Sequence, residues 1–242
     1  MASNPPGACC ATGFKHEGNP TGEIKDVGGV KTYFAQPKEK TDKAILILTD
    51  IFGIFTNSQL IADQFAENGY LAVIPDLFAG DAIDVAAMEG GKVDLPSWIQ
   101  NHQPNHVDPI VEAAIKNLRE QGVKKIGGVG YCFGAKYVTR FLKNGQLDVG
   151  YNAHPSFVTH EELGAIQGPL SIAAAEIDQI FTTALRHESE GTLIKTGQPW
   201  QINLFSGVSH GFAVRADLSK PENKFAKEQA FVQAIAWFAY HL

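Results

Sequence analysis

The sequence predicts a single α/β domain with a mainly parallel sheet covered by helices on both faces. Three observations carry this. Short β-rich apolar runs alternate with longer helical patterns from about residue 30 onward. The run Ala44 to Leu48 is apolar at every position, as a strand buried on both faces must be. The chain has 242 residues, a length one large core can serve, and no internal repeat or second compositional block interrupts it.

In order, residues 1–29 are rich in Gly, Pro, Asn and charge without an apolar period, and read as an irregular arm preceding a domain over 30–242. Val30 to Ala35 and Ala44 to Thr49 read as strands. Asn57 to Asn68 reads as a helix with Leu60, Ile61 and Phe65 on one face, closed by Gly69, and Leu71 to Ile74 as a strand stopped by Pro75. Residues 76–107 are the least regular stretch, a long excursion of functional or mobile type. Asp108-Pro109 reads as the N-cap and first turn of a helix whose stripe is Ile110, Val111, Ala114, Ile115 and Leu118. Strands are expected at Lys125 to Tyr131, Val149 to Ala153, Leu170 to Ala175 and Gln201 to Phe205. The last helix runs from about Pro221 to Tyr240 with Phe225, Val232, Ile235 and Ala239 facing inward.

Composition excludes several function classes. A net charge of −6 disfavours nucleic acid, which needs a basic face to release counterions. No apolar run approaches the roughly 18 residues of a membrane span, and the first residues lack the basic start and apolar stretch of a secretory signal. Three cysteines, Cys9, Cys10 and Cys132, make a poor disulfide framework and point to the cytoplasm.

The most informative segment is Ile126 to Gly134, containing Gly130-x-Cys132-x-Gly134 between a predicted strand and a predicted helix. This is the nucleophile elbow of α/β-hydrolases with Cys in place of Ser: a sharp turn that tolerates only small neighbours and sets the nucleophile at a helix N-terminus. The amide of Phe133 is then an oxyanion donor. Gly128, Gly130 and Gly134 mimic a dinucleotide fingerprint, but the last Gly falls one place late and no acidic residue closes the next strand, so no cofactor is expected. An elbow requires an acid and then a His, each just past a later strand. Asp178 and His210 meet this order, with Glu176 a weaker rival to Asp178.

Together, Thr49-Asp-Ile-Phe-Gly53, Pro75-Asp-Leu-Phe78, Gly130 to Lys136, His154-Pro-Ser-Phe157, Ala174 to Asp178 and Ser206 to Ala213 make nearly the whole chain resemble the dienelactone hydrolase family, particularly its fungal members. The resemblance implies an α/β-hydrolase fold and a Cys-His-Asp triad that hydrolyses lactones or activated esters (carboxymethylenebutenolidase type) without metal. It also implies that the Ile51 amide is the second oxyanion donor. It puts Asp50 where bacterial members carry a Glu that contacts the resting thiol. A substrate-binding Arg of those members is replaced by Gly80, and Arg215 is a near match, displaced by one residue, for the other. Half the cationic clamp is thus absent, which points away from dienelactone itself and toward a different or uncharged acyl group.

Other residues weigh less. Phe52, Phe55, Phe78, Phe133 and Phe212 are candidates for an apolar acyl pocket, and His154 for its wall. Cys9 and Cys10 with His16 make a poor metal site, since adjacent cysteines do not readily share one tetrahedral ion. His102 and His106 read as solvated, with Pro104 breaking the helix that would align them, and Lys136 as either a site residue or a surface charge. The expected partner is a small-molecule ester or lactone, and the assembly a monomer or homodimer. The alternative is a non-catalytic ligand-binding or thiol-redox protein on the same fold, with Cys132 as sensor.

Overall fold

A computed structural model describes residues 2–4, 18–143 and 146–242; Cys9, Cys10 and His16 lie outside the described residues. Among these, eight strands form one sheet: β1 (Glu23–Val27), β2 (Val30–Ala35), β3 (Lys43–Leu48), β4 (Leu71–Pro75), β5 (Lys125–Tyr131), β6 (Val149–Ala153), β7 (Leu170–Ile177) and β8 (Trp200–Ser209). Their spatial order is β1-β2-β4-β3-β5-β6-β7-β8. The first two pairings, β1 with β2 and β2 with β4, are antiparallel, and all pairings from β4 to β8 are parallel. The sheet therefore begins inside the segment expected to be irregular. Glu23–Val27 has no apolar alternation because it is a solvent-facing edge strand, held by its ladder to β2 rather than by burial.

Alternation along β3 shows how the two faces are filled. Ala44, Leu46 and Leu48 join one core with Val111 and Leu118 of α4 (Pro104–Glu120), Val138 of α5 (Gly134–Phe141), Leu163 of α6 (His160–Gly164) and Leu193 of α7 (Thr183–Thr196). Ile45 and Ile47 join the other, with Ile61 and Phe65 of α1 (Thr56–Glu67), Val214 of α8 (Phe212–Arg215) and Phe238 of α9 (Pro221–His241). Helices cover both faces, as expected. Among the described residues, no helix is long and apolar enough to cross a membrane.

Three local readings are corrected. α4 starts at Pro104, a turn before Asp108: a proline at the first helical position lacks only an amide that would be orphaned anyway, and Pro109 forgoes one bond in the second turn. Asp108 does not cap; it accepts from Arg140 Nε at 3.1 Å. His102 consequently precedes the helix and turns inward, buried and bonded through Nε2 to Asp81 Oδ2 at 2.9 Å, whereas His106 is exposed. The inner face of α9 is Ala226, Ala230, Ala234 and Phe238. Phe225, Val232 and Ala239 point to solvent, and of the four residues expected inside only Ile235 is partly buried. The helix carries apolar residues on two sides, so periodicity alone chose the wrong one.

The irregular excursion holds two short helices, α2 (Val85–Glu89) and α3 (Leu95–Gln100), capped by Asp84 and Asp94. Trp98 of α3 packs at a tilt against Phe78, and Phe78 against Phe133 beside the elbow, with ring centroids 4.9 and 5.2 Å apart.

Candidate active site

The turn between β5 and α5 is tight. Cys132 has φ +50°, a left-handed conformation rare for a side chain of this kind. Its amide donates to Ala153 O at 3.2 Å and that of Gly134 to Thr49 O at 3.0 Å. A Cβ on Gly134 would lie 1.9 Å from Leu48 O, and one on Gly130 2.5 Å from Ala135 Cα. A Cβ on Gly128 would meet the Leu147 side chain at 2.6 Å, a softer constraint than backbone. The glycines that imitate a nucleotide fingerprint are thus explained by close packing of strand, turn and helix. The buried Sγ of Cys132 lies 3.5 Å from Ser156 Oγ.

At the end of β7, Asp178 turns inward. Its Oδ1 accepts from the amides of Ile180 and Phe181 at 2.7 and 3.0 Å, and its Oδ2 lies 2.9 Å from His210 Nδ1, both side chains fully enclosed. His210 follows β8, which runs longer than expected, and its amide donates to Ile177 O at 3.3 Å. Glu176 takes another task. Exposed near the end of the strand, it accepts from the Gly207 amide and from Ser206 Oγ, both at 2.7 Å, and these bonds hold its carboxyl below the usual range. Of the two acids, Asp178 is the one that meets the imidazole.

His154 joins the elbow to the histidine loop. The carbonyl of its neighbour Ala153 holds the Cys132 amide, while its own ring packs edge-on against His210 with centroids 4.9 Å apart. Its φ of +39° is strained, it is wholly buried, and neither ring nitrogen has a hydrogen-bond partner among the described residues. Burial, assisted by the nearby His210 and Arg215, drives its pKa well below 6.5, so the imidazole is neutral at pH 7.

Asp50 and Arg215 form a buried pair, with Nε donating to Oδ2 at 2.8 Å. The guanidinium also covers the Phe52 ring at 5.2 Å. Burial pushes the Asp50 carboxyl upward and the Arg215 charge pulls it back. In the same loop, Asp50 occupies the amides of Phe52 and Gly53, whereas the amides of Ile51 and Phe133 have no acceptor among the described residues. Gly80 has φ +91°, and a Cβ there would meet open space.

Around this centre, Phe78, Trp98, Phe133 and Phe157 form an aromatic wall. Lys136 is no free surface charge: it pairs with Glu162 at 2.8 Å, which Arg140 also contacts at 2.9 Å. The Lys136 and Arg140 bonds hold Glu162 below its usual pKa although burial works against them. Ser156 and Trp98 escaped sequence reasoning. Ser156 sits within the quoted His154-to-Phe157 segment, but no spacing rule brings it to the thiol.

A model of the dienelactone hydrolase family matches residues 30–242. The chain belongs to that family. The chain is 51% identical over 245 residues to a hydrolase, pyvD, of Aspergillus violaceofuscus, covering all of this chain and 99% of that protein. It is 50% identical to hydrolase tropI of Talaromyces stipitatus (98% and 97% covered) and 33% identical to a dienlactone hydrolase 1 of Gibberella moniliformis (100% and 96%). Among solved structures, a putative dienelactone hydrolase from Klebsiella pneumoniae superposes with TM-score 0.75 at 15% identity, covering 90% of this chain and 98% of that one. The fold is therefore that of the α/β-hydrolases in this family.

Proposed function

We propose that the chain hydrolyses a lactone or activated carboxylic ester by acyl transfer through Cys132, with His210 as base and acid and Asp178 orienting it. The observation that carries this reading is the Asp178–His210 bond at the carboxyl edge of the sheet, in the chain order an elbow nucleophile requires. With its Nδ1 proton committed to Asp178, the ring presents Nε2 as the acceptor for a thiol proton. The Cys132 sulfur attacks the carbonyl carbon, and the amides of Ile51 and Phe133 receive the developing oxyanion. Collapse expels the alkoxide, protonated by His210, and leaves a thioester. His210 then takes a proton from water, whose oxygen attacks the thioester carbonyl, and the released thiolate regains a proton as the acid departs.

The acyl group is read as uncharged. Arg215, the remaining candidate for gripping a carboxylate, is engaged by Asp50, and Gly80 supplies no cation. Phe52, Phe78, Trp98 and Phe133 favour a flat, apolar or aromatic acyl portion. A reducing compartment such as the cytoplasm keeps Cys132 a thiol. Turnover of a short-chain nitrophenyl ester by wild type and Cys132→Ala tests the reading. Loss in the variant is expected, and undiminished turnover would remove Cys132 from the mechanism.

A further inference from the structure

We infer that β8 and the outward stripe of α9 form a two-fold interface with a second copy of this chain, the two β8 strands pairing antiparallel edge to edge. The two ends of the sheet are built differently. β1, at one end, is five residues long, and three of them, Glu23, Lys25 and Asp26, are charged. Charges on a short strand are how sheets keep an open edge from recruiting another. β8, at the other end, is ten residues long, and none from Trp200 to Ser209 is charged. It carries neither proline nor lysine. Asn203, Leu204 and Ser206 stand exposed on a strand whose one ladder, among the described residues, is to β7.

Beside this edge lies an apolar surface that the fold does not use. Phe225, Val232 and Tyr240 are 62, 54 and 85% exposed, and Leu204, 48% exposed, stands on the other face of the same strand edge. Phe225, Val232, Ala236 and Tyr240 fall on one side of α9, opposite its buried stripe, and line a groove against Gln201, Asn203 and Phe205 of β8. With large side chains burying roughly 150–250 Å² each, the three exposed side chains of α9 offer on the order of 400 Å² of apolar surface, about half of the ~800 Å² per partner in a stable interface. The strand edge and its polar rim supply the remainder.

A second copy fits this surface for a reason of charge. Each chain carries −6 overall, so like chains repel unless their meeting surface excludes the charges. From Trp200 to Phe205 β8 does so, the exposed carboxylate of Glu176 standing beyond that stretch at Ser206 and Gly207, and its amide side chains Gln201 and Asn203 both donate and accept across a two-fold axis. Antiparallel pairing of identical strands is self-complementary, and it sets each α9 stripe beside its partner's.

Sedimentation equilibrium of the full chain at about 100 µM is expected to give twice the chain mass of 26.2 kDa. The double variant Leu204→Lys, Phe225→Asp alters only exposed side chains. It is expected to be a folded monomer by circular dichroism, with self-association weakened at least about a hundredfold. A monomeric wild type overturns the proposal, as does a dimer that survives the double variant. Should that variant fail to fold, amide exchange of wild type decides. Protection along residues 201–206 that is lost on dilution into the monomer supports the interface. Protection that persists in the monomer shows the edge covered from within its own chain and overturns it.

Discussion

Arg215 and Asp50, 165 residues apart in the chain, meet in a bond of 2.8 Å with neither side chain more than 2% exposed. Breaking such a pair from one side leaves an uncompensated charge in the interior. Arg215→Met is therefore expected to lower stability by about 3–5 kcal/mol, and adding Asp50→Asn in the same chain to recover most of the loss. Urea unfolding of the three proteins checks this; two independent, additive losses would contradict it.

The division of labour between two neighbouring acids gives a kinetic contrast. Asp178→Asn should reduce kcat by about 10³–10⁴-fold, because the amide no longer fixes the ring tautomer. Glu176→Gln keeps an acceptor for Ser206 and Gly207 outside the site and should change kcat less than about threefold. Steady-state assays on one ester substrate separate the two, and equal losses would mean the assignment is wrong.

His154 makes stability depend on pH in a definite direction. Its folded-state pKa lies well below 6.5, so between those values the unfolded chain binds a proton that the native one refuses. Its contribution is present at pH 7 and is lost as pH falls below about 6.5, with a slope of up to about 1.4 kcal/mol per pH unit. His154→Phe removes that slope. Unfolding midpoints of both proteins between pH 7 and pH 5 measure it, and parallel curves would refute it.

Two glycines should respond oppositely to the same methyl group. Gly134→Ala drives a Cβ into the Leu48 carbonyl and should cost at least about 3 kcal/mol or abolish folding. Gly191→Ala, in the exposed interior of α7 with nothing within 4 Å, should stabilise by up to about 1 kcal/mol. Thermal denaturation of the two variants reads the signs directly.

The parallel core was legible in the sequence because Ala44 to Leu48 is apolar throughout and the later strand runs alternate with helical patterns. The Asp178–His210 contact and the sharp turn at Cys132 were legible because an elbow and two strand ends stand in a required order. β1 was not, since an edge strand held by backbone pairing leaves no side-chain pattern. Nor was the Arg215–Asp50 pair: the family resemblance put Arg215 near the site, but its orientation toward Asp50 depends on a contact between distant loops. His102 was misread because Pro104 looked like the end of regular structure when it is the start of a helix.

The asymmetry of the two sheet ends also limits how far these molecules can associate. A sheet adhesive at both ends would stack copies without limit and grow fibres. In the proposed pairing one end is repellent, so it would consume the adhesive end of each copy at once, and growth would stop at two.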